Sequence, residues 1–359
     1  MTGAVAALPV GSRVVVRRRL PAPDPATGAS LTDVVGTLTS KNDAVLVVET
    51  RSGPVEVHVV DVVAAKVVPP RPSRRGAPHL ALSVDDLQRV LIGAWGALER
   101  EPLGEWQLRA SRGFTARGNS VATPGSPGVP LEEAVAYAMD WYAGRGLPLN
   151  VTLAGPVGFA VADDPLGAFL LGRGARVATR SLTLTASATA VTSVLTPSPT
   201  SPSATSPSPS ATSPSAVAVW HPIGASAPRP SLREELTDRW LRAYGSYRTG
   251  PADAVRGVLT GSERQWFAEV EDDDELVGIG RLAVNDGWGG IAAMWVDPDR
   301  RRAGLARAML AAMAARAVEA GAGSLHLQVL ADNDGARQAY AAMGFVPHHE
   351  YVNLVTPTS

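Results

Sequence analysis

The chain has 359 residues, of which 45% are hydrophobic and 19% charged, with a formal net charge of -1 and no cysteine. That length exceeds one ordinary hydrophobic core and predicts two or three domains. The missing cysteine excludes disulfides, thiolate catalysis and zinc–cysteine sites, and the near-neutral balance gives no overall footprint for nucleic acid, so no such partner is expected. The apolar run at residues 4–10 precedes the basic cluster at 17–19, the reverse of a secretory signal. No apolar stretch nears the roughly 18 residues of a membrane span. A cytoplasmic protein that does not enter membranes is the expectation.

Residues 1–68 read as a small all-β barrel. SRVVVRRRL, DVVGTLTSK, DAVLVVET and VEVHVV are short Val-rich runs divided by turn residues, with Gly53 suited to a hairpin. So many short strands in so few residues favour closure, which removes exposed edges. There is no Trp or Tyr before residue 95, so no aromatic groove suggests a ligand, and the barrel leaves room for a protein partner. Residues 69–79, PPRPSRRGAPH, read as a linker, because proline forbids both helix and central strand.

Residues 80–195 return to mixed α/β. Ser83 caps the helical pattern VDDLQRVLIGAWGALE, and GEWQLRASRGFTARGNSV reads as a strand pair. LEEAVAYAMDWYAGRG is a helix with acids in its first turn, PLGAFLLGRG a short helix and SLTLTA a strand. Residues 196–228 read as a disordered linker, dominated by Ser, Thr and Pro, which are expected to bury too little apolar surface to offset the entropy of ordering.

Residues 229–359 alternate strands and helices again. Ser231 and Glu234 make a capping-box pattern before LTDRWLRAYGSY. Strands RQWFAEVE, LVGIGRLAV and IAAMWV follow, then a helix over 304–320, the strand SLHLQVL, a helix over 334–343 and the strand HEYVNLV. The alternation predicts a mixed sheet with helices on both faces.

The chemistry concentrates at VDPDRRRAGLA, residues 296–306. A strand ends there, a basic loop follows, and a helix begins near Gly304. The unpaired N–H groups and positive dipole of a helix start bind phosphate readily. Arg301, Arg302 and Arg307 add charge. On the next helix Asn333, Ala336, Tyr340, Gly344 and Phe345 form N-x-x-A-x-x-x-Y-x-x-x-G-F.

Arg301-x-x-Gly304-x-Ala306 followed by this second pattern resembles the two acetyl-CoA motifs of the GNAT superfamily of N-acetyltransferases. Ala306 stands where the family more often has glycine. The resemblance implies an α/β (α+β) GNAT fold over 229–359, with acetyl-CoA as co-substrate and no metal. It implies that Arg301, Arg302, Gly304, Leu305, Ala306 and Arg307 frame the pyrophosphate. Met294, Trp295 and Val296 would pair with the pantetheine arm, and Asn333 and Ala336 would contact it. Tyr340 would be the general acid near the sulfur. A phenol with a pKa near 10 can protonate a departing thiolate near 8.5. For the general base, Glu269, Glu271, Asp286, His348, His349 and Glu350 are candidates of equal standing.

Residues 80–195 resemble a degenerate first GNAT unit in tandem with the second. Setting Gly174 against Gly344 places Leu170 opposite Tyr340, and TPGSPGVP replaces the Arg-rich loop. GFTARGNSV, residues 113–121, resembles a stretch of actinobacterial tandem GNAT proteins whose N-terminal barrel is of the Src-homology type. The function expected is acetyl transfer to an amine, carried by a small molecule or a protein. The alternative is a non-catalytic acyl-CoA-binding sensor or scaffold.

Overall fold

A computed structural model describes residues 13–23, 28–50, 53–67, 77–195 and 229–357, together with residues 5, 8 and 10. The linker expected at 196–228, and that at 69–79 apart from its last three residues, lie outside the described residues. The chain divides into two compact units, Met1–Ser73 and Arg74–Ser359.

The first unit holds strands β1 (Arg13–Arg19), β2 (Leu31–Lys41), β3 (Val45–Thr50), β4 (Gly53–His58) and β5 (Val62–Val67) in the order β4-β3-β2-β1-β5. Only a three-residue 3₁₀ turn, Val59–Asp61, separates β4 from β5, yet these strands lie at opposite edges of the sheet. So short a link requires the sheet to curl until its edges approach. Alternation does the rest. Val14 and Val16 of β1, Leu46 and Val48 of β3, and Val57 of β4 all bury in one core with Val34 and Leu38, while Arg17 turns outward to Asp33 at 2.8 Å.

The second unit is built on one eleven-stranded sheet. Its first half runs α1 (Val84–Ala94), β6 (Glu99–Leu103), β7 (Trp106–Ala110), β8 (Val121–Ala122), α2 (Leu131–Ala143), β9 (Asn150–Gly155), α3 (Pro165–Gly172), β10 (Arg176–Ser187) and α4 (Ala188–Leu195). Its second half runs β11 (Ser231–Arg233), α5 (Asp238–Gly245), α6 (Ala252–Thr260), β12 (Arg264–Asp272), β13 (Glu275–Asn285), β14 (Trp288–Val296), α7 (Leu305–Glu319), β15 (Ser324–Leu330), α8 (Asp334–Ala342) and β16 (Val346–Val355). Each half thus repeats three strands, a helix, a strand, a helix and a final strand. In each, the pair flanking the first crossover helix is parallel: β8 with β9, and β14 with β15.

The final strands are exchanged. The sheet order β11-β12-β13-β14-β15-β10-β16-β9-β8-β7-β6 puts β10 of the first half beside β15 of the second, and β16 beside β9. The two exchanged strands pair antiparallel with each other at the centre, from Arg176↔Val355 to Thr185↔Val346. The halves therefore share backbone hydrogen bonds and two faces of core.

Helices α4, α7 and α8 pack on one face, where Leu182, Leu184 and Ala186 of β10 join Leu325, Leu327 and Val329 of β15. On the other face α5 and α6 bury Trp240, Tyr244, Ala254, Val258 and Leu259 against Phe267 and Ile279, and α1 buries Leu87, Val90 and Leu91 against Trp288. Gly289 and Gly290 of β14 let both layers approach. A Cβ on Gly289 would lie 3.0 Å from Ala317 of α7, and one on Gly290 would lie 2.9 Å from Ala94 of α1.

Two local expectations are corrected. Ser231 starts strand β11 and caps nothing; α5 is capped by Thr237, whose hydroxyl accepts from Trp240 N at 3.2 Å. GEWQLRASRGFTARGNSV is more than a strand pair: Trp106–Ala110 pairs with β6 on one side and with the short β8 on the other, through Gln107↔Ala122, and a 3₁₀ turn at Arg117–Asn119 lies between β7 and β8. Helices α4 and α6 were not foreseen. ATAVTSVL has the β-branched content of a strand, and only the burial of Ala188, Val191 and Leu195 in the core that α7 shares makes it helical.

Because β10 completes the second half, residues 229–357 expressed alone should expose the edges of β15 and β16 and aggregate. Co-expression with residues 77–195 should yield a one-to-one complex on size-exclusion chromatography. A monomeric, cooperatively unfolding fragment 229–357 would show the exchange to be dispensable.

Candidate active site

The sheet opens between β14 and β15. β14 and β15 pair in parallel from Trp288↔Ser324 to Ile291↔Leu327 and no further. Immediately beyond, Ala293 takes a positive φ of 53°, and the β13–β14 register slips between Ile279 and Arg281. This bulge turns β14 away from its neighbour. Residues 292–296 are left half-buried, still paired to β13 on one side and free of β15 on the other.

Side chains alternate about the opening. Met294 and Val296 pack on the α7 face together with Ala336, Ala339 and Tyr340 of α8. Trp295 points to the other face, where its ring stacks at 6.0 Å and 3° on Tyr247, whose hydroxyl donates to Ala293 O at 3.3 Å. The phenol of Tyr340 is pushed up to about 12 by burial, and its ring meets Phe345 edge-on at 5.9 Å. A phenol so raised stays protonated through the neutral range.

The loop after β14 ends in a nest of backbone. Arg302 has φ 65° and Gly304 φ 81°, and Gly304 caps α7 with no side-chain partner for its amides. No acid stands in the first turn, so the N–H groups of Leu305, Ala306 and Arg307 keep their positive end uncompensated. Leu305 itself anchors in the core. Arg301 bends back so that its Nε donates to Val296 O at 3.4 Å, and Arg307 donates to Val194 O of α4 at 2.9 Å. Arg302 is exposed. Asn333 caps α8, its Oδ1 accepting from Ala336 N at 3.1 Å. Met294, Val296, Ala336 and Tyr340 thus meet on one core beside the opening.

The base candidates do not. Glu269 is buried, with Oε2 held by Arg233 at 3.0 Å and Oε1 by Thr237 at 2.7 Å. Glu271 binds Arg239 at 2.8 Å. Glu350 accepts from Arg180 and from Gly158 N in the first half. Asp286 sits in the β13–β14 turn, at the end of β14 remote from the opening. His348 and His349 belong to a relay under α1. Gln88 Nε2 donates to His349 Nε2 at 2.6 Å, His349 Nδ1 donates to His348 Nδ1 at 3.0 Å, and His348 Nε2 donates to Leu82 O at 3.2 Å. This one-way chain needs both rings neutral, and burial duly holds both below the usual imidazole range, His349 to about 3.

The first half differs at the corresponding loop. Where α7 begins with a basic nest, α2 is preceded by a loop whose Ser126 N donates to Glu105 Oε2 at 2.7 Å, while Glu105 pairs with Arg89 at 2.6 Å. The chain's own carboxylate holds that amide. Leu170, the counterpart of Tyr340, is fully buried core.

A model described as the acetyltransferase (GNAT) family matches residues 229–345. These residues form a GNAT acetyltransferase domain. Residues 8–66 match a model described as the Rv0428c N-terminal Sm-like domain, so the small barrel is Sm-like. The probable histone acetyltransferase Rv0428c of Mycobacterium tuberculosis is 35% identical over 144 residues, which are 38% of this chain and 42% of that protein. The chain thus aligns with less than half of that relative. The uncharacterized N-acetyltransferase YobR of Bacillus subtilis is 24% identical over 271 residues, 74% of this chain and 95% of that protein. A solved GCN5-related N-acetyltransferase from Kribbella flavida superimposes with a TM-score of 0.49 at 16% identity, covering 77% of this chain and 96% of that one. No helix among the described residues is long and apolar enough to cross a membrane, and none of their acidic and histidine side chains cluster as a metal site.

The GNAT domain also predicts an acid sensitivity. His326 is buried on β15 with Nε2 unpartnered, and burial holds it, like His349, to about 3. Both are neutral in the fold, whereas the unfolded chain takes up protons below about pH 6.5. Stability from this source is present above that pH and is lost as pH falls toward 3. Urea midpoints should drop between pH 7.5 and pH 4.5, and His326→Gln should make the drop shallower. An unchanged slope in that variant would remove His326 from the account.

Proposed function

We propose that the GNAT domain transfers the acetyl group of acetyl-CoA to an amine. The observation that carries this reading is the opening between β14 and β15, bordered by a basic helix-start nest on one side and a neutral phenol on the other. Backbone of residues 294–296, unpaired on the β15 side, supplies edge N–H and C=O groups for an amide-bearing arm. The amides of Leu305, Ala306 and Arg307, with Arg301 and Arg302, suit a pyrophosphate. Asn333 and Ala336 lie beside the path of the arm.

Transfer then requires little of the protein beyond positioning. The amine nitrogen forms its bond to the thioester carbonyl carbon, the carbon–sulfur bond breaks, and Tyr340 gives its proton to the departing thiolate. The candidate carboxylates and imidazoles are all engaged elsewhere, so the proton of the incoming ammonium leaves through water. The first half binds no second acetyl-CoA, because Glu105 already occupies the amide of its loop.

Titration calorimetry on the full chain should find one acetyl-CoA per molecule, and Gly304→Val should abolish binding by forcing a β-branched residue to positive φ, at about 1–2 kcal/mol of strain. Tyr340→Phe should lower kcat by about 10²–10⁴-fold while leaving acetyl-CoA affinity unchanged. Wild-type affinity in the Gly304 variant would remove the nest from the site. Tight binding without turnover of any amine would select the sensor alternative.

A further inference from the structure

On the sheet face opposite Tyr340, the first half places a cation beside the opening between β14 and β15. Gln328 is the first residue of β15 beyond its last pairing with β14. Its neighbours Leu327 and Val329 enter the core under α7, so Gln328 lies on the face of α1, α5 and α6. Arg117 reaches it from the first half. Its Nη1 donates to Gln328 Oε1 at 2.6 Å, and its guanidinium lies 4.4 Å above the ring of Trp95.

This arginine has no acidic partner. No ion pair among the described residues includes Arg117 or Arg248. The acids of the same face are spoken for: Asp253 by Arg112 at 2.8 Å, Glu269 by Arg233 at 3.0 Å, and Asp238 by Arg256. The groups that act electrostatically on Arg117 include the phenols of Tyr351 and Tyr244 and a second cation, Arg248, exposed just beyond α5. Arg117 in turn acts on the buried cations Arg109 and Arg281. Burial works against its charge and lowers its pKa. A desolvated cation is costly until an anion pairs with it.

The segment that delivers Arg117 is tightly built. Asn119 Oδ1 accepts from Ser111 N at 2.8 Å and Gly113 N at 2.9 Å, and Asn119 Nδ2 donates to Thr115 O at 2.8 Å. Thr115 Oγ1 accepts from Trp95 Nε1 at 3.3 Å and Gly118 N at 3.3 Å. The bonding of GFTARGNSV thus holds a guanidinium at the mouth of the neighbouring half's opening.

We propose that the acceptor amine carries a carboxylate, and that Arg117 binds this carboxylate, with Arg248 at the rim drawing the anion in. The proposal rests on the acetyl-transfer reading and names its acceptor class. A guanidinium with four N–H groups beyond the one given to Gln328 can take a carboxylate through two parallel bonds. The same charge disfavours a lysine-rich acceptor, since like charges meet at the opening.

The test uses the full chain, acetyl-CoA and a matched panel: the standard amino acids, their carboxamides, and a lysine-rich peptide, with thiol release and product mass as readouts. At least one free acid should exceed its carboxamide in kcat/KM by about tenfold or more. Arg117→Gln should raise KM for that acid about tenfold or more with little change in kcat, and should erase the preference for acid over amide. Arg117→Lys should restore part of it, and Arg248→Gln should weaken KM less and more so at low salt. Unchanged acetyl-CoA affinity and melting temperature identify variants that remain folded. Equal turnover of acids and amides, a preference for the lysine-rich peptide, or no turnover of any acid overturns the proposal. Failure of the wild-type chain to bind acetyl-CoA overturns the acetyl-transfer reading instead.

Discussion

The antiparallel pairing of β10 with β16 is the constraint on which the second unit depends. Each strand is the last of its own half, and each completes the sheet of the other. Without β10, the edge of β15 from Ser324 to Leu330 has no antiparallel partner, and Leu182, Leu184 and Ala186 leave the core beneath α7. Without β16, β9 loses its ladder from Asn150 to Gly155. Edge strands left open in this way are costly and prone to aggregation. The first half is therefore needed as structure, and its position explains how Arg117 arrives beside the opening of the second.

Buried charge in this unit is handled by helix ends and neutral rings. Arg281 is fully buried with no carboxylate beside it. Its guanidinium donates to Leu259 O at 2.7 Å and Ala94 O at 2.8 Å, at the C-terminal ends of α6 and α1, and to Ser262 Oγ at 2.8 Å. The negative ends of two helix dipoles stand in for a counterion, while burial lowers the pKa to about 9. The relay from Gln88 through His349 and His348 to Leu82 follows the same logic, satisfying each polar atom in one direction with no net charge. Arg117 differs, because its environment supplies one side-chain oxygen and an aromatic face and leaves most of its donors over.

Parts of the site were legible because they depend on local backbone chemistry. Gly304 must accept a φ of 81°, so glycine at the helix start is visible in a linear pattern. The spacing from Asn333 to Tyr340 is set by helix geometry, which carries the tyrosine to the face that packs on Met294 and Val296. Other side chains have partners that no linear pattern shows. Glu269 looks like a free carboxylate in a strand until Arg233 and Thr237 close on it. The guanidinium of Arg307 rests on Val194 O of a helix that the sequence did not announce, which leaves its backbone amide to the nest.

The sequence by itself determined the Val-alternating barrel, the repeated alternation of strands and helices, the basic nest at residues 301–307 and the phenol one helix later. The strands and helices follow from periodicity within about a dozen residues, while the pairing of nest and phenol follows from the resemblance of their motifs to those of a known family. The tertiary structure alone decided that β10 and β16 change places, that the sheet opens beyond Ile291 and Leu327, and that Arg117 meets Gln328 across 211 residues of chain. Strand order and side-chain meetings at such separation depend on which faces find each other in the core. No local pattern records that choice, because the energy deciding it belongs to the assembled sheet.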